Sequence, residues 1–106
     1  MENIPESDWK KLRSLKDDLL NIACDRILQK ISALIAQQEG NAHETYLKLW
    51  DVMKEEDEDI SAMFDDLKRS NAFFKLAHLR RNRVISDERF EEFSAETKHL
   101  VNAINE

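Results

Sequence analysis

SDWKKLRSLKDDLLNIACDRILQKISALIAQQEG, residues 7–40, decides the fold class. It holds no proline, and its one glycine is its last residue. Trp9, Leu12, Leu15, Leu19, Ile22, Ala23, Ile27, Ile31 and Leu34 follow one another at steps of mostly three and four. That is the period of a helix, whereas a strand would alternate every second residue. Ser7 is a suitable N-cap, Asp8 suits the positive end of the helix dipole, and Gly40 is a natural left-handed stop. A helix over about residues 8–39 follows. Leu20, Cys24, Leu28 and Ile35 form a second apolar stripe beside the first. So wide an apolar arc needs cover from two sides.

Beyond Gly40, Asn41 and Glu44 have the spacing of a capping box that opens a second helix. Tyr46, Met53, Ile60, Leu67 and Phe74 recur every seven residues, with Leu49, Trp50, Met63, Phe64 and Ala77 beside them. The heptad keeps its phase through the acidic run 55–59, so one helix over about 42–81 is expected, with a break at 55–59 as the alternative. Asn82 is placed to close it. Ser86 then caps a third helix, over about 87–104, with Asp87 and Glu88 in its first turn and Ile85 and Phe90 at staple positions. Residues 79–90 resemble a helix–turn–helix corner, a local motif that assigns no family. The expected fold is all-α: a long antiparallel hairpin plus a shorter C-terminal helix, one helical domain over 1–106, completed as a bundle by dimerisation.

Composition narrows the function. The chain has 106 residues, a net charge of -6, and one each of glycine, proline and cysteine. One cysteine allows no intramolecular disulfide, and so few turn residues disfavour β architectures and glycine-rich phosphate loops. The first eight residues are acidic and polar, unlike a secretory signal, and no apolar run approaches the ~20 residues of a membrane span. A cytoplasmic setting with Cys24 as a free thiol is expected. Charge is segregated: residues 51–66 hold eight acids against Lys54, and 67–85 hold six Lys and Arg with no acid.

Each chemical motif has a plainer explanation. Lys68, Arg69, Lys75, Arg80, Arg81 and Arg83 could contact phosphates, which makes a nucleic-acid-associated regulator using segment 68–83 the alternative reading. At 100° per residue they scatter around a helix, among apolar residues that should pack, and cations near a helix C-terminus are favoured without a ligand. Glu96 and His99 have Glu-x-x-His spacing, but no second copy exists to build a dimetal site. Asp51, Glu55 and Asp59 form an acidic stripe of the kind that is normally solvated. Cys24 with His43, His78 or His99 could form a thiolate pair, yet it sits mid-helix among apolar residues. No catalytic residue, metal or cofactor is assigned.

Two constellations bear on assembly. In a hairpin folded about Gly40, positions summing to about 81 face each other, which sets Glu56 and Asp57 within a turn of Arg26. A pair of Arg26 with either acid would fix the register. A C-terminal helix of ~28 Å cannot cover helices of ~48 and ~60 Å at 1.5 Å per residue. Leu20, Leu28, Ile35, Tyr46 and Trp50 are thereby left as the expected contact surface for a second copy or for a helix of another protein. The expectation is a non-catalytic helical interaction or regulatory protein acting as a homodimeric scaffold or adaptor.

Overall fold

The computed structural model describes residues 3–106. Among them are five α-helices, one 3-10 turn and no strand: α1 (Glu6–Ala36), α2 (Ala42–Phe64), the turn Arg69–Asn71, α3 (Ala72–Arg81), α4 (Asp87–Glu91) and α5 (Ala95–Ile104). The chain is an all-helical bundle.

Helix α1 starts two residues earlier than its sequence suggests. Pro5 is the capping residue, with φ -53° and no side-chain cap, and Ser7 lies inside the helix. Proline near a helix start costs nothing, because its missing N–H would be unpaired there anyway. The helix ends at Ala36 with Gln37 as its C-cap, three residues before the expected end, so Gly40, left-handed at φ +79°, shapes the turn that follows instead of stopping the helix. Asn41 caps α2 as expected, its side chain accepting from the Glu44 amide at 3.1 Å.

The expected single helix over 42–81 is two helices, and the break lies at 65–71, outside the acidic run 55–59. Asp65 is extended and Asp66 takes φ +55°. Aspartate tolerates this left-handed region better than most residues because its short side chain bonds locally. Asn71 then ties the loop, donating to the Asp66 carbonyl at 2.8 Å and accepting from the Lys68 amide at 3.0 Å. The Lys75 ammonium donates to the Ala62 carbonyl at 2.8 Å, satisfying an orphan group at the end of α2. Of the expected heptad positions, Leu49, Ile60, Met63, Phe64, Leu67 and Ala77 are covered, whereas Tyr46, Trp50, Met53 and Phe74 are not. Thr45, Leu49, Val52, Glu56, Ile60 and Ser61 are half-buried in α2 and Met63 and Phe64 are buried, while Tyr46, Met53 and Phe74 are exposed.

The end of α3 is a Schellman motif: the Val84 amide donates to the Leu79 carbonyl at 2.9 Å and the Arg83 amide to the Arg80 carbonyl at 3.0 Å. Arg83, not Asn82, is the left-handed residue, with φ +57°. Ser86 caps α4, accepting from the Arg89 amide at 3.2 Å, and Ile85 and Phe90 are both buried around it. The expected helix over 87–104 is interrupted at 92–94, where Ser94 recaps the chain by accepting from the Thr97 amide at 3.3 Å.

The buried core joins Ile4, Leu12, Leu19 and Ala23 to Met63, Phe64, α3, Val84, Ile85, Phe90, Phe93 and Val101. No residue between 24 and 62 belongs to it. The molecule therefore has a packed head, made of the first half of α1 and everything after the end of α2, and an arm of two helices. Its extents are 54 × 26 × 24 Å.

Candidate interaction surface

Two antiparallel helices can bury only the seam between them. In the arm the seam holds Ile27, Ile31 and Leu34 of α1 and Thr45, Leu49, Val52 and Glu56 of α2, all half-buried. Residues one position further along each helix fall on one flank, and residues one position earlier fall on the other. The sequence makes these flanks chemically different.

The first flank is apolar. Leu28 and Trp50 are each 64% exposed, and Ile35, Tyr46 and Met53 are between 47% and 56% exposed. Cys24, Ile27, Leu28, Met53 and Ile60 line a groove whose polar members are Glu56 and Asp57. Along α2 the flank is a ladder: the His43 ring stacks on Tyr46 with centroids 6.4 Å apart, and Tyr46 meets Trp50 edge-on at 6.5 Å. Trp50, Met53 and Asp57 line the next depression. Of the surface expected from sequence, Leu28, Ile35, Tyr46 and Trp50 lie here. Leu20 does not, because it packs against the core of the head. Met53 was missed, having been read as a seam position.

The opposite flank is polar. Lys30 and Glu56 pair at 2.8 Å, and this hydrogen bond, with the charge of Glu56 behind it, raises the Lys30 pKa. Arg26 does not pair with Glu56 or Asp57. Its guanidinium donates to the Asn82 carbonyl at 3.1 Å and to the Arg83 carbonyl at 2.7 Å, closing the end of α3. Asp57 is exposed on the apolar flank. The end of α3 lies beside Arg26 and presents carbonyls that outcompete the acids of α2.

The basic segment is largely engaged within the chain. Arg69 donates to the Ile4 carbonyl at 3.0 Å and Lys68 meets Asp66 at 3.1 Å. Arg80 pairs with Asp87 at 3.0 Å, donates to the Ile85 carbonyl and lies 4.5 Å over the Phe90 ring. Arg81 and Arg83 are exposed. Among the described residues no three His, Cys, Asp or Glu side chains are placed to hold a metal ion, and Glu96 and His99 are exposed on α5. Cys24 is half-buried in the apolar groove, which no histidine lines. No helix of the described residues is long and apolar enough to cross a membrane.

One polar cluster had no sequence reading. Asp8 is 3% exposed and Thr97 fully buried. The Asp8 carboxylate accepts from the Ser94 amide at 3.0 Å and from the Ser94 and Thr97 hydroxyls at 2.5 Å each. Burial works against its charge. The bonds from Ser94 and Thr97, helped by Lys11, outweigh that and lower the pKa from 3.8. Asp8 thus joins the start of α1 to the start of α5, a fastening of the head and not a reactive site. Comparison with protein-family models, curated proteins and solved structures found no match to this chain.

Proposed function

We propose that the chain is a small helical interaction or regulatory protein, without chemistry of its own, that acts in the cytoplasm as a homodimeric scaffold or adaptor. The observation that carries this reading is the apolar flank of the arm: Leu28, Ile35, Tyr46, Trp50 and Met53 exposed together on one face of two helices. Aromatic side chains offer roughly 150–250 Å² each, and large aliphatic ones lie near the lower figure. Five of them, about half to two-thirds exposed, present roughly 500–600 Å². Two copies face to face would cover about twice that, and with the stems of flanking residues this reaches the ~1,200 Å² at which stable interfaces begin. A two-fold pairing makes the arm a four-helix bundle with a head at each base.

Light scattering coupled to size exclusion at micromolar concentration tests it. The expected mass is about 25 kDa, twice the 12.5 kDa of one chain. Leu28→Ser with Trp50→Ser should return it to one chain with helicity unchanged. A monomeric native protein refutes the homodimer and turns the reading to a helix of another protein in the same groove.

A further inference from the structure

The apolar flank has a pattern along its length as well as a composition. On α2 it runs His43, Tyr46, Trp50, Met53, Asp57, with Trp50 seven residues from either end and the ends ~21 Å apart at 1.5 Å per residue. The base of this helix is strongly acidic, with five consecutive acids at 55–59. We infer that two copies join their arms antiparallel, with Trp50 at the two-fold axis and His43 of one copy against Asp57 of the other. The inference rests on the homodimer reading and adds its register and orientation.

The argument is one of symmetry and charge. A two-fold axis relating two flanks packed face to face must lie in the plane between them, either across the arms or along them. An axis across the arms lays α2 on α2 in opposite directions. The ladder is then its own complement: Trp50 meets its copy, Tyr46 lies beside Met53, and the imidazole of His43 reaches the carboxylate of Asp57 at both ends. On α1, Leu28 and Ile35 straddle the level of Trp50 and meet each other across the axis. The two acidic blocks stand ~21 Å apart, beyond the ~10 Å over which salt at 0.1 M leaves charges coupled.

An axis along the arms does the opposite. It lays α1 of one copy on α2 of the other, still running in opposite directions, brings both heads to one end, and gathers both copies of the 55–59 run there. Asp57 then falls over Cys24 and His43 beside Gln38, so neither carboxylate gains a cation. Like charges placed together across an interface oppose association, so the first arrangement is favoured.

Short bis-maleimide cross-linking of the full-length chain tests this. His43→Cys and Asp57→Cys are combined in a Cys24→Ser background. Both positions are exposed, so the fold tolerates them. The antiparallel pair gives a covalent dimer from the double-cysteine chain and little from either single-cysteine chain, because like positions lie ~21 Å apart. Positions 43 and 57 of one chain are equally far apart, which excludes an internal cross-link. A charge exchange provides a second readout. His43→Asp and Asp57→His should each weaken dimerisation about tenfold, and the two together should restore it to within about threefold. A dimer by light scattering that neither cross-links nor recovers on exchange overturns the register while leaving the homodimer standing. A monomer overturns both.

Discussion

Removing the carboxylate of Asp8 should be among the most damaging single substitutions in the head. Asp8→Ala deletes three hydrogen bonds to a buried charge and strands the Ser94 amide and the Thr97 hydroxyl, the latter fully buried. A bond to a charged group is worth ~1.5–3 kcal/mol net, and an unsatisfied buried group costs ~1–3 kcal/mol. These terms overlap, and ~3 kcal/mol is the expected loss. For a chain of this size that lowers Tm by roughly 15 °C. Asp8→Asn keeps the shape and one acceptor but turns an NH2 toward hydroxyl donors, and should lose about half as much. Urea unfolding followed by circular dichroism measures both.

The pH dependence is a second check on the same cluster. The folded pKa of Asp8 lies below its ordinary 3.8, so the folded state prefers the charged form. Its contribution is therefore complete above the unfolded value and is lost as pH falls through the folded one. The gap between native protein and Asp8→Ala should shrink steadily below about pH 4. A variant within 1 kcal/mol of the native protein at pH 7, or a gap that does not change on acidification, would refute the account of Asp8 as a charged fastening.

Other positions carry their own expectations. Ser86→Ala removes the cap of α4 and should cost ~1 kcal/mol, read from the urea midpoint. A double-mutant cycle should show coupling of about 0.5 kcal/mol between Lys30 and Glu56 and additivity between Arg26 and Glu56, since only the first pair touches. Gly40→Ala should cost ~1 kcal/mol through the left-handed backbone alone, because nothing lies within 4 Å of the added methyl. Burial first, then Arg81 and Lys75, lowers the pKa of His78 against the pull of Asp59. Folding therefore favours its neutral form, so stability should fall as pH drops below about 6.5 and fall less in His78→Gln.

Residues 7–40 and Ser86 were legible because their signals are local. A 3.6-residue period over thirty positions, or a serine followed by two acids, needs nothing from the rest of the chain. The break at 65–71 was not legible. It contains neither proline nor glycine, and its loop is held by Asn71 reaching Asp66 and Lys68, a geometry no propensity encodes. The apolar flank was legible in four of its five members. Leu20 differs because a stripe beside a seam looks the same whether the head covers it or not, and Met53 because a seven-residue repeat does not say which of two adjacent positions faces the seam.

Local chemistry by itself determined that this chain is helical, that one long helix fills most of residues 7–40, how Asn41 and Ser86 begin helices, and that more apolar surface exists than three helices can hide. Each follows from periodicity or a cap, which act within a few residues. Only the tertiary structure decided which surface stays open and which polar groups meet. Folding α3 and α5 onto the first half of α1 covers Leu20, gives Arg26 the carbonyls of Asn82 and Arg83, and brings Ser94 and Thr97 to Asp8 across 86 and 89 residues of chain. Such contacts depend on where distant helices end, and burial makes their partners obligatory only once the helices are in place.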